Sequence, residues 1–132
     1  IMGDHKLTIR PIIKHIGPIE NKSREEQFQN LTLRPILKMQ HELLMAFFEN
    51  YLSKRKVNFA GMGALKRNEL VSNIFKNDHI FKAELRGLII GHFTLEEYKD
   101  YQPMATEANR RILTMSKERL LSVFIENNKN VT

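Results

Sequence analysis

His41-Glu42-Leu43-Leu44-Met45 opens like the zinc-protease motif H-E-x-x-H. That motif works because two histidines one helical turn apart grip zinc while the glutamate activates a water. Here Met45 stands where the second histidine belongs, and a thioether is a poor zinc ligand. Glu42 also lies about 100° round a helix from His41, so the pair does not converge on one point. The expectation is therefore no metal at His41-Glu42, and no cofactor elsewhere. His5, His15 and His79 fall near helix ends, where an imidazole caps or meets water. His92 shares a helical face with Phe81, Leu85 and Leu88. With no G-x-S-x-G, G-x-x-x-x-G-K or strand-borne G-x-G-x-x-G, no nucleophile elbow or nucleotide loop is written in the chain. A catalytic centre would have to be assembled from different helices, with His41, His92 and Glu96 as its members.

Charge supplies the other chemistry. The 132 residues carry a net charge of +6. Lys54, Arg55, Lys56, Lys66 and Arg67 lie between Ser53 and Arg67 with no acid among them. Such a connection can meet phosphates, which makes a nucleic-acid interface one reading, or it can simply be solvated. An acidic stretch answers it, with Glu96, Glu97, Asp100 and Glu107 offset only by Lys99. The absence of cysteine excludes a disulfide scaffold, thiol catalysis and Cys-ligated metal, and fits an expected cytoplasmic location. The stretch IMGDHKLTIRPIIKHIG has no unbroken apolar core of signal-peptide length, since Arg10 and Lys14 interrupt it. No apolar run approaches the roughly 20 residues of a membrane helix.

The elements that must position these groups read at helical period almost throughout. Ser23-Arg24-Glu25-Glu26 and Thr94-Leu95-Glu96-Glu97 are capping-box patterns. Gly91 predicts a helix end, Gly61-Met62-Gly63 a loop, and Pro103 a break before a last helix over about 104–126. Between Pro35 and Lys54 the apolar arc spans roughly 240° of the wheel, from Met39 through Leu43, Ile36, Phe47, Tyr51, Leu44, Leu37, Phe48 and Leu52 to Met45. A helix so broadly apolar is expected at the centre. The last helix, with Ala108, Ile112, Leu113, Met115, Leu120, Val123 and Phe124, shows a narrower stripe and is expected outside. The fold class is all-α: a single domain over residues 1–132, a bundle of five or six helices around 35–54, with 1–22 loosely attached.

One octapeptide occurs twice, as LTIRPIIK from Leu7 and as LTLRPILK from Leu31. Threonine can cap, and proline three residues on suits a first turn that needs no N–H. Each copy thus reads as a helix start. The similarity does not continue past either copy, and two copies are too few for a solenoid.

The tract GLIIGHFTLEEY, with EEQFQNLTLRPILKMQHELL upstream, resembles a family of small, uncharacterised bacterial proteins, over about Ser23 to Leu121. That resemblance implies a single helical domain and no established activity. Some members carry an automatic glyoxalase label, which the residues here do not support. The first glyoxalase enzyme resembles paired βαβββ modules with His and Glu ligands, and the second carries T-H-x-H-x-D-H. Neither pattern occurs. The expected function is a non-enzymatic helical interaction or structural protein that self-associates, as a homodimer through apolar helix faces around the central helix, Ile89, Ile90 and Phe93. The alternatives are a nucleic-acid binder using Lys54, Arg55, Lys56, Lys66 and Arg67, and an enzyme of unknown type.

Overall fold

Ser23 opens the main helical run. Its hydroxyl accepts the Glu26 N–H at 3.1 Å, and α2 follows over Arg24–Phe28. The structure, a computed structural model, describes residues 2–13 and 22–126. In it the helix does not restart at Thr32. It passes through a π-helical turn, Gln29–Leu33, and continues as α3, Arg34–Met39. Arg34 N–H reaches back to the Gln29 carbonyl, five residues away. The widened turn accommodates Pro35, whose missing N–H and bulky ring would break an ordinary α-turn.

The reading of the repeated octapeptide as two helix starts is thereby corrected. The second copy lies inside a continuous helical run. In the first, Leu7 and Thr8 close α1, Met2–Thr8, and the Thr8 hydroxyl donates to the His5 carbonyl at 2.9 Å. The chain then turns, and Pro11 begins a non-helical stretch. Lys14, at the end of that copy, and His15 lie outside the described residues.

The helix expected over Pro35–Lys54 is divided at Gln40, whose φ of −99° and ψ of 18° leave the helical region. Hydrogen bonds bridge the break, from Gln40 N–H to Ile36 O and from Leu44 N–H to Gln40 O, both 2.9 Å. Beyond it α4, His41–Lys54, buries Leu44, Met45, Phe48 and Leu52. The break resets the register between the two wheels. Ile36 is fully buried, whereas Leu43, seven residues on, is 46 % exposed. The apolar arc is therefore narrower than the sequence wheel drew it.

α4 ends on paired bonds, Lys56 N–H to Ser53 O and Val57 N–H to Leu52 O, each 3.0 Å. This is the Schellman arrangement, and it places Lys56 at φ 56°, where glycine is usual. Lys56→Gly is expected to raise stability by about 1 kcal/mol by relieving the left-handed strain. Urea denaturation checks it, and a destabilised variant would contradict the capping account.

Residues 57–63 lead to α5, Ala64–Asn77, and then Asp78 caps α6, His79–Ile90, accepting the Phe81 N–H at 2.9 Å. Gly91 closes α6 as expected. Thr94 and Glu97 form a complete capping box for α7, Leu95–Tyr101. Pro103 breaks the chain in a 3-10 turn, Gln102–Met104, and α8 runs over Ala105–Leu121 into a π turn at Ser122–Glu126.

α8 is not an outer helix. It packs against α2, α4, α5 and α6, and buries Ala108, Ile112, Ser116 and Leu120 at four-residue spacing. Its stripe reads as narrow in sequence because Ser116 counts as polar, although it is wholly buried. The all-α expectation stands: among the described residues every regular element is helical. None of these helices is long and apolar enough to cross a membrane.

Candidate functional site

Among the described residues the most densely connected polar group is Glu97, in the first turn of α7. Its Oε1 accepts from Thr94 N–H at 2.9 Å and from Arg10 Nη2 at 2.7 Å. Its Oε2 accepts from Arg10 Nη1 at 2.5 Å and from the Thr32 hydroxyl at 3.2 Å. Both copies of the octapeptide converge here, the first supplying Arg10 and the second Thr32. Arg10 Nη2 also donates to the His92 carbonyl at 2.6 Å, and Lys6 Nζ to the Phe93 carbonyl at 2.9 Å. These bonds fasten the N-terminal segment across the start of α7.

Burial would raise the Glu97 pKa, but hydrogen bonds from Arg10, the Thr94 amide and Thr32, with the Arg10 charge, outweigh it and hold the carboxyl below its ordinary value. A carboxylate offers about four lone-pair sites. Four donors fill those of Glu97, leaving no lone pair for a substrate proton. Its chemistry is that of a clamp, not a general base.

The three catalytic candidates sit in separate settings. Glu96 is exposed on α7, while its neighbour Glu97 takes the inward position. His92 is half-buried after α6, and burial, then the charges of Lys6 and Arg10, keep its pKa below the usual imidazole value. His41, on α4, meets Arg119 of α8, with Nδ1 and Nη1 3.1 Å apart. A guanidinium has no acceptor, so Nδ1 must hold the lone pair and the ring proton sits on Nε2. Met45 is buried and Glu42 exposed, so the zinc-like tract is split between core and solvent. Among the described residues no three His, Asp or Glu side chains stand together as a metal set.

The basic connection is likewise divided. Arg67 donates to the carbonyls of Phe59 at 3.0 Å and Phe124 at 2.8 Å, and its guanidinium lies 4.6 Å from the Phe59 ring centre. Arg55 lies 3.7 Å from the ring centre of Tyr51 and pairs with Asp78 at 3.5 Å. Asp78 itself is held below the usual carboxylate range by the Phe81 amide and the Tyr51 hydroxyl. Burial and then Asp78 push the Tyr51 phenol up to about 12. Of the five cations, Lys54, Lys56 and Lys66 are exposed and make no such contact.

Compared with family models, curated proteins and solved structures, the chain matches none. The polar architecture must therefore be interpreted from its own geometry. Arg10, Thr32, Arg34 and Arg119 escape a reading of the sequence. Arg10 and Thr32 are signalled only by their place in a repeated octapeptide, and Glu97 only by its capping spacing.

Proposed function

We propose that the chain is a non-enzymatic helical interaction module that pairs with a second copy of itself. The surface first suggested by Ile89, Ile90 and Phe93 does not serve. Ile89 and Phe93 are buried within one chain, and Phe93 packs edge-on to Phe28 at 5.4 Å. What supports self-association instead is the distribution of exposed apolar side chains. Among the described residues nine large ones are exposed, including Leu43, Leu65 and Ile80. The other six are Leu7, Ile9, Ile12, Leu31, Leu95 and Tyr98. Each lies within three residues of a group that meets at Glu97: Arg10, Thr32, Thr94 or Glu97 itself.

The clamp thus ties together segments that each carry exposed apolar side chains, and covering these needs apolar surface of the same kind. Twofold pairs, in which one patch meets itself, are the commonest soluble assemblies. The nucleic-acid alternative retains only three exposed lysines after Arg55 and Arg67 are taken by internal contacts.

Light scattering at micromolar concentration is expected to give a dimer mass that persists in high salt, because apolar contact drives it. Ile12→Asp with Leu95→Asp is expected to give monomer. Aspartate is favourable in the first turn of α7, so loss of the dimer would not reflect loss of that helix. A monomer mass for the unaltered chain at both low and high salt would overturn the proposal.

A further inference from the structure

We propose that Arg34, Lys38, His41 and Arg119 form a site for a small phosphate-bearing anion where α3, the start of α4 and α8 meet. Arg34 and Lys38 are four residues apart on α3, a spacing that keeps their side chains on one helical stripe, and His41 opens α4 just past the break at Gln40. Arg119 reaches His41 from α8, with Nη1 3.1 Å from His41 Nδ1. It is close enough to Arg34 that burial first, and then the Arg34 charge, lower its pKa.

Four basic side chains are gathered without an acid to neutralise them. The other arginines that are drawn into close contacts have anionic or carbonyl partners: Arg10 has Glu97, Arg55 has Asp78, Arg110 and Arg111 share Glu107, and Arg67 has three carbonyls. Among the described residues no ion pair includes Arg34, Lys38 or Arg119. The nearest acids in sequence, Glu42 and Glu118, are exposed one position round their helices, and neither comes within ion-pair distance. Arg34 has only a long contact to Asn30 Oδ1, 3.5 Å.

A guanidinium presents five donors in a planar fork suited to two oxygens of a tetrahedral anion. Arg119 spends one of them on an imidazole nitrogen. Its remaining donors, those of Arg34, the Lys38 ammonium and the His41 Nε2–H offer a phosphate dianion several charged contacts at once. Bringing like charges together is unfavourable until such an anion is bound. This site uses none of the residues of the Glu97 clamp, so it stands or falls independently of self-association.

The test is titration of the full chain, 15N-labelled, with sodium phosphate against sodium chloride at matched ionic strength, followed by NMR. Saturable shifts of the Arg34, His41 and Arg119 resonances are expected with phosphate and not with chloride. Arg119→Gln and, separately, Arg34→Gln are expected to weaken the apparent affinity about tenfold or more, the value of a lost charge-assisted bond. Lys76→Gln, an exposed lysine on α5, is expected to leave it unchanged. Arg34 is exposed, so its replacement leaves the fold intact even if that of Arg119 does not. Glycerol phosphate binding more tightly than inorganic phosphate would support an ester as the ligand. Preference for inorganic phosphate would support the free ion. Equal shifts with chloride, or an equal loss from Lys76→Gln and Arg34→Gln, would overturn the site.

Discussion

Phe81→Ala is expected to destabilise the fold by about 3–5 kcal/mol. Phe81 lies in the first turn of α6 and is 1 % exposed. Its ring stacks on Phe47 at 5.3 Å and stands edge-on to Tyr51 at 4.8 Å, Phe75 at 5.3 Å and Phe48 at 6.4 Å. Three of these residues come from α4 and one from α5, so this single ring joins α4, α5 and α6. Its removal loses the transfer free energy of the ring and leaves a cavity bounded by aromatic edges that cannot all collapse inward. The preceding residue provides the control. Ile80 is 70 % exposed, and Ile80→Ala is expected to change stability by no more than about 0.5 kcal/mol. Both are read from urea denaturation at 25 °C. A Phe81→Ala loss below about 1 kcal/mol would mean that the aromatic cluster is not what holds these helices together.

What was legible in the sequence was what is settled within a few residues. The Thr94–Glu97 capping box, the end at Gly91 and the break at Pro103 depend on bonds to near neighbours or on proline's missing N–H, and all occur where their spacing places them. The octapeptide misled because its signals are local too. Thr-x-x-Pro describes a helix start only when the helix cannot run through it, and the π turn at Gln29–Leu33 lets it run through. The division at Gln40 carries no proline or glycine to announce it, and Leu43 just beyond it is 46 % exposed. Ser116 belongs to the core of α8 because neighbouring helices enclose it, which its residue type argues against.

The polar sites were less legible, since their partners are distant in the chain. Arg10 is 87 residues from Glu97, Thr32 is 65 from it, and Arg119 is 78 from His41. Periodicity places a residue on a face but does not say which face it meets. His41 drew notice for a zinc motif it does not complete, whereas its contact with an arginine depends on how α4 crosses α8. Glu96 and Glu97 are both acids in a first turn, and in the sequence only the capping spacing separates them. The N-terminal segment then adds Arg10 to Glu97, which becomes the most connected carboxylate among the described residues, while Glu96 stays exposed.

Glu97→Ala is expected to release that N-terminal segment and to make tryptic cleavage after Lys6 much faster. In the intact chain the Lys6 ammonium is bonded to the Phe93 carbonyl, and Arg10, 5 % exposed, is neutralised by Glu97. Removing one partner of a buried ion pair costs about 3–5 kcal/mol when the other charge must stay buried. Arg10 need not stay buried, because it lies on a non-helical connection that can swing into water. Undocking therefore limits the loss in global stability to between about 1 kcal/mol, the usual value of a helix cap, and that upper figure. The pH dependence separates the ion pair from the cap. The folded-state pKa of Glu97 is depressed, so its contribution is fully present above the unfolded value of about 4.3 and is lost as pH falls through the folded value. The stability difference between the unaltered chain and Glu97→Ala should be constant above about pH 5 and shrink below about pH 4. Taking the difference cancels the acid response of Asp78, whose own carboxyl is also depressed but is present in both proteins. A difference that does not change with pH, together with an unchanged rate of cleavage after Lys6, would show that the Arg10–Glu97 pair does not hold the segment in place.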